Sequence, residues 1–156
     1  KKGERTAKEG IVFSYIHHGG RLGVLVELNC ETDFVAKTEG YSELAHNLAM
    51  QIAATNPLAI RREDIADTVV EHEKSIFSDQ AKESGKPENI IEKMVEGRMD
   101  KFYAESCLLE QSFIKDPDKK VGDLLTQAVS TLGENIVVSR FTRFAIGEES
   151  SNGQPH

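Results

Sequence analysis

Five histidines, two cysteines and 26 carboxylates supply this chain with material for acid–base, metal or nucleophilic chemistry. Their spacing arranges none of it. His17, His18, His46, His72 and His156 contain no HExxH and no other paired metal-ligand spacing. The His17-His18 pair beside a glycine turn reads as an exposed pair more readily than as a ligand pair. No serine or cysteine sits in a nucleophile elbow, and no two carboxylates form a recognisable acid–base pair. Gly19-Gly20-Arg21-Leu22-Gly23 is glycine-rich, but a phosphate cradle needs a helix N-terminus next, and here a strand follows. In Gly85-Lys86-Pro87 a proline stands where a phosphate loop has Ser or Thr, and no GxxxxG precedes it. The expectation is a protein that is not an enzyme, with no metal and no cofactor of its own.

A different kind of chemistry is offered by Glu27–Ala36, read ELNCETDFVA. A strand runs directly into a helix, and Asp33 and Phe34 stand at the junction. Glu31, Thr32 and Asp33 are suited to stopping a strand and capping a helix. Two readings follow. In one, Asp33 caps the helix and Phe34 packs in the core. In the other, the chain has just turned, the ring faces outward, and an aromatic beside a charge grips a partner.

The elements that must position these residues follow from periodicity. Lys1–Glu9 is a charged, helix-permissive lead-in. Ile11–His17 and Leu22–Cys30 read as strands, joined by a turn too short for anything but an antiparallel hairpin. Tyr41–Ala54 is a helix with Tyr41, Leu44, Ala45, Leu48, Ala49, Ile52 and Ala53 on one face, stopped by Asn56-Pro57. A second helix is expected from Arg62 or Glu63 to about Ser84, with a thin stripe of Ile65, Val69, Ile76 and Phe77. Gly85-Lys86-Pro87 breaks it. A third helix, Glu88–Ser106, carries Ile91, Met94, Val95, Met99 and Phe102. Helices joined by so short a turn lie antiparallel, and their narrow stripes suit a projecting hairpin better than helices packed flat on a sheet. Leu108–Lys120 reads as a loop, Val121–Leu132 as a short helix, and Asn135–Phe144 as a last strand alternating Ile136, Val138, Arg140, Thr142 against Val137, Ser139, Phe141, Arg143. The predicted fold is α+β: a three-stranded antiparallel sheet covered by helices on one face, with an inserted antiparallel helical, coiled-coil-like hairpin. The predicted bounds are a lead-in at residues 1–10, a core at 11–147 with the hairpin at about 62–106, and a disordered tail at 148–156.

Composition sets the class. The length of 156 residues is enough for one domain with a hydrophobic core. At 38% hydrophobic and 29% charged, the chain belongs among globular rather than disordered proteins. A formal net charge of -7 argues against non-specific nucleic-acid binding. Arg61-Arg62 and Lys119-Lys120 are small basic candidates whose plainer reading is solvated surface charge. No apolar run approaches the roughly 20 residues needed to span a bilayer, so no membrane role is expected. No signal-peptide pattern opens the chain. Cys30 and Cys107 make neither a disulfide framework nor a CxxC motif, and read as reduced, partly buried thiols of a cytoplasmic or organellar-matrix protein.

Several segments together carry a resemblance: HHGGRLGVLVELNCETDFVA at His17–Ala36, AMQIAATNP at Ala49–Pro57, GKPENIIEKMVEGRMDKF at Gly85–Phe102 and GENIVVSRF at Gly133–Phe141. In content and order they resemble the bacterial elongation factor Ts family, over about residues 5–147. The resemblance implies a guanine-nucleotide exchange factor for elongation factor Tu. It implies that Asp33 and Phe34, flanked by Thr32 and Val35, dock on the partner's G domain, with the ring wedging between two helices near the bound Mg²⁺. A histidine of the family's HG-x-R turn maps to His18 or, with a one-residue gap, to His17. In the coiled-coil-like hairpin, Met94, Arg98 and Met99 occupy the most recognisable segment, where packing and surface charge are the plainer roles. Typical members begin with a small helical, ubiquitin-associated-type domain, and this chain opens at KKGERTAKEG, which resembles the link after it. A truncated or processed core with reduced affinity is the expectation. Members with a single copy of the core resemble this chain and act as homodimers through their sheets, so Asn135–Phe144 is a candidate contact. The alternative is a non-catalytic dimeric binding or chaperone-like protein; an enzyme with an unrecognised site is the remaining rival.

Overall fold

The computed structural model describes residues 2–148. The described residues fold as two compact units, one comprising residues 2–56 and 112–148, the other Pro57–Gln111.

The first unit is built on strand β2, Leu22–Cys30. Its alternate residues Val24, Val26, Leu28 and Cys30 are buried on one face, as strand pleat requires. It pairs antiparallel with β1, Glu9–Ile16, on one side and with the C-terminal strand, Val137–Ala145, on the other. A four-residue helix α1, Asp33–Ala36, and then α2, Glu39–Thr55, follow β2. Helix α2 packs the predicted face against β1 and β2: Tyr41, Leu48, Ala45, Ala49 and Ile52 are fully buried. The Tyr41 hydroxyl donates to the Leu28 carbonyl, and Phe13 and Tyr15 meet His46 edge-on. Asn56 closes α2 in the left-handed conformation, with Pro57 next. Helix α5, Val121–Leu132, packs on α2 and ends at Gly133, whose φ of 78° only glycine adopts freely.

Three expectations for this unit are corrected. The lead-in is not a helix beyond one 3-10 turn at Lys2–Glu4, and β1 starts at Glu9, two residues earlier than expected. The Asn135 side-chain amide donates to the Gly3 and Arg5 carbonyls, which a helix would have used itself. The predicted loop holds a small hairpin, β3 at Ser112–Phe113 and β4 at Asp116–Lys120. It is held by Gln51, which is fully buried inside α2 and spends its amide on Ser112 and Ile114 backbone groups. Such a buried amide is stable only when both ends are partnered. β4 is exposed throughout most of its length, so no alternating pattern announced it.

The third correction concerns the last strand, here β5, Val137–Ala145. Leu28 faces Val138 and Glu27 faces Arg140, so one extra residue is inserted between them. This bulge switches the faces. Phe141 and Arg143, opposite the buried Val26 and Val24, turn to the side of Val138. Arg143 donates to the Ala53 carbonyl near the end of α2 and pairs with Glu148 at 3.1 Å. Arg140 and Phe144 go to the opposite face, with Val12, Ile16 and Leu25. Apart from Glu148, the tail expected at 148–156 lies outside the described residues.

The second unit contains α3, Asp67–Lys82, and α4, Glu88–Ser106, joined through a short turn and packed against each other. Helix α4 has the predicted bounds, with Ile91 and Met99 buried and Met94, Val95 and Phe102 half-buried. Helix α3 starts later than expected. Arg62–Asp64 is a separate 3-10 turn, and Ile65 is extended. The Asp64 carboxylate accepts from the Arg61 N–H and closes the turn, while Ile65 enters a small core with Ala59 and Cys107. Val69, expected inside, is exposed; Val70 packs against that core instead. Arg62 lies 4.2 Å from the Tyr103 ring centre and binds Glu110 through two hydrogen bonds. Arg98 lies 4.8 Å from the Phe77 ring centre and donates to Gln80.

Both cysteines are free and fully buried. Burial raises the Cys30 thiol above its ordinary value, and burial, followed by the Glu110 carboxylate, pushes Cys107 up to about 11. The thiolate is the reactive form. Each thiol should therefore react with a disulfide reagent at neutral pH no faster than the protein opens, and a fast phase in native buffer would contradict this.

Candidate functional site

The junction of β2 and α2 presents the residues singled out in the sequence. Thr32, in extended conformation, is the N-cap of α1, and its hydroxyl oxygen accepts from the Val35 N–H at 3.4 Å. Asp33 is the first helical residue rather than the cap, and it pairs with Lys37 at 3.5 Å. Phe34 is 82% exposed. Val35 is half-buried and Ala36 buried, so this one turn keeps its small residues inside and holds Asp33 and Phe34 out. Thr38 repeats the device: its hydroxyl donates to the Val35 carbonyl at 2.8 Å and accepts from the Tyr41 N–H at 3.2 Å, capping α2. Of the two placements left open by the sequence, the ring faces outward, and Thr32 rather than Asp33 takes the capping role. Thr32→Ala should cost about 1 kcal/mol in urea-unfolding stability. An unchanged midpoint would show that the cap contributes nothing.

His17 and His18 are both exposed, in the turn between β1 and β2. The Tyr15 hydroxyl and His17 Nδ1 are 2.8 Å apart, and the two imidazoles stand edge to face. This turn lies at the opposite end of β2 from Thr32–Val35. The strand's length separates them by roughly 27 Å. The two groups therefore form no single small-molecule site, and a shared role requires a partner with an extended surface.

A carboxylate network behind Phe34 had no signal in the sequence. Glu134 Oε1 accepts from the backbone N–H groups of Glu31 and Thr32, each at 3.0 Å, and Oε2 accepts from the Thr32 hydroxyl at 2.6 Å. Glu31 returns the contact by accepting from the Asn135 N–H at 2.6 Å, and it pairs with Arg5 at 3.7 Å. Desolvation raises the Glu134 pKa, but the hydrogen bonds from Thr32 and Glu31 outweigh it and hold the carboxyl below the ordinary glutamate range. These partners are about a hundred residues apart in the chain, beyond the reach of any local pattern.

Among the described residues, no group of three or more His, Cys, Asp and Glu side chains is placed to hold a metal ion, and no helix is long and apolar enough to cross a membrane. Two surface grooves lie among the described residues. One, between α2 and α5, is lined by Leu44, Leu124, Ala128 and Leu132. Another, on α3 and α4, is lined by Ile91, Val95 and charged residues.

Comparison with known proteins gives consistent matches. A family model described as Elongation factor TS matches residues 1–148. Elongation factor Ts of Syntrophobacter fumaroxidans is 56% identical over 149 residues, which cover 96% of this chain and 74% of the relative. That of Alkaliphilus oremlandii is 59% identical over 148 residues, 95% of this chain and 68% of the relative. That of Thermotoga maritima is 56% identical over 148 residues, 95% and 73% respectively.

Proposed function

Since the chain belongs to the elongation factor Ts family, we propose that it is a guanine-nucleotide exchange factor for elongation factor Tu, working through Asp33 and Phe34. The observation that carries this reading is the exposed Phe34 ring, held by a capped turn. Leaving a phenylalanine in water forgoes about 2 kcal/mol that burial would return. A partner that receives the ring recovers it. In this reading the ring enters between two helices of the G domain, Asp33, Thr32 and Val35 border the contact, and the partner's Mg²⁺ is displaced. Loss of the cation leaves the diphosphate charge without its largest compensation, so GDP departs. No bond is made or broken by this chain. Linkage supplies the cycle: a factor that weakens GDP binding is weakened by GDP to the same degree, and incoming GTP ejects it. His17 or His18, at the far end of β2, makes a second contact on the same large partner. A place in the cytoplasm, which the bacterial relatives favour, belongs to this reading.

The reading extends to a homodimer. The sheet face opposite α2 exposes Val12, Ile16, Leu25 and Phe144, at 63%, 65%, 45% and 59%. The polar pair Glu27–Arg140, at 2.8 Å, lies among them. A second copy related by a two-fold axis would meet this face with the same face and would bury these residues as a sheet-on-sheet core.

The test is release of fluorescent GDP from elongation factor Tu, chased with excess GDP and with this protein at substoichiometric amounts. Multiple-turnover acceleration is expected. Unchanged release even at excess factor would sink the exchange reading.

A further inference from the structure

We propose that Glu134 is a positioning residue for exchange, holding the turn that presents Phe34. The inference deepens, and rests on, the assignment of Phe34 to the partner contact. Helix α1 has only four residues, and a helix of one turn does not maintain its own geometry. What holds Phe34 outward must come from elsewhere in the fold.

The local bonds show the source. β2 ends at Cys30, its last ladder partner being Glu9. The next two backbone donors, Glu31 and Thr32, have left the sheet, and both are taken by the same oxygen of Glu134. The other carboxylate oxygen takes the hydroxyl proton of Thr32. A threonine hydroxyl has one proton. With that proton committed to Glu134, the oxygen's lone pairs are left for the Val35 N–H, which is the cap of α1. The carboxylate therefore acts twice, on the backbone before the turn and on the orientation of the cap inside it. Charged acceptors make the stronger class of hydrogen bond, which suits an anchor at a part-exposed site.

Glu134 is itself placed firmly. Gly133 reverses the chain at the end of α5, and the following Asn135 is buried. The Asn135 backbone N–H donates to Glu31, and its amide donates to Gly3 and Arg5. The two glutamates thus cross, each binding the backbone beside the other. One turn is pinned to another, and the segment before β1 is pinned to both. None of these groups needs to touch elongation factor Tu for the arrangement to matter.

The test separates positioning from mere stability. A turn that samples several conformations weakens apparent binding in proportion to the competent fraction. Glu134→Ala should raise the KM for elongation factor Tu–GDP about tenfold with kcat unchanged. Loss of folded protein would instead lower the apparent kcat and leave KM alone. Glu134→Gln should stay within about threefold of the parent KM, because its carbonyl oxygen still accepts both backbone N–H groups. In parallel, 4-fluorophenylalanine placed at position 34 should give one sharp ¹⁹F resonance in the parent and in Glu134→Gln, and a broadened or split one in Glu134→Ala. An unchanged KM for Glu134→Ala, or a single unchanged ¹⁹F resonance, would overturn the proposal. Phe34→Ala is run beside these variants. If it leaves exchange untouched, the site assignment fails, and the ¹⁹F spectrum still decides whether Glu134 holds the turn.

Discussion

Phe34→Ala should slow factor-dependent release of GDP from elongation factor Tu and leave this protein as stable as before. A buried aromatic anchor at a protein contact is worth about 2–4 kcal/mol on truncation, or roughly 30- to 1000-fold in kcat/KM. The fold should not notice. The ring is 82% exposed, and substitutions away from packed positions stay within about 0.5 kcal/mol. Stopped-flow release of fluorescent GDP gives the first quantity and urea unfolding the second. The contrast between them is the informative result. A large fall in stability would mean that the ring packs in solution. Full activity with full stability would mean that the contact with the partner lies elsewhere.

The second large effect concerns assembly. Phe144→Glu places a charge on the uncovered sheet face near the end of β5, opposite Gly23 and two residue pairs from Leu25. In a two-fold contact every substitution is present twice. Burying an unpaired carboxylate costs several kcal/mol, so the dimer constant should weaken by more than about a hundredfold. Sedimentation equilibrium of the parent should fit a dimer, and that of Phe144→Glu a monomer with an unchanged circular dichroism spectrum. A parent that sediments as a monomer at the highest attainable concentration would remove the homodimer from the reading. Glu27 and Arg140 give a milder control, because their exposed pair on the same face should contribute little to monomer stability.

Where local signals were strong, element bounds were readable to the residue. Helix α4 begins after Pro87 and α5 ends before Gly133, as expected. β2 alternates cleanly because one of its faces is buried and the other is not. The errors have a common origin. Val69 and Val70 are equally apolar, and only packing against Ala59, Ile65 and Cys107 distinguishes them. The β3–β4 hairpin is held from behind by Gln51, a residue with no helical-face signature. In β5, one inserted residue at the bulge reversed every assignment beyond it, since strand side chains change face with each step.

The candidate site divides in the same way. Asp33 and Phe34 stood out from residue types alone, as a charge and an aromatic at a strand–helix junction, whereas the cap fell on Thr32 rather than on Asp33. Family membership was equally legible, because several ordered motifs persist without reference to three-dimensional contacts. The direction of Phe34 was not, because the same four residues suit a buried ring or an exposed one. Its outward placement follows from Ala36 and Val35 taking the inner positions, and from Thr32 being bound by Glu134 across a separation of 102 residues. Periodicity and capping act over one or two turns of chain, so they place elements. The orientation of a side chain on a short turn depends on atoms brought to it by folding, and no nearby residue records them.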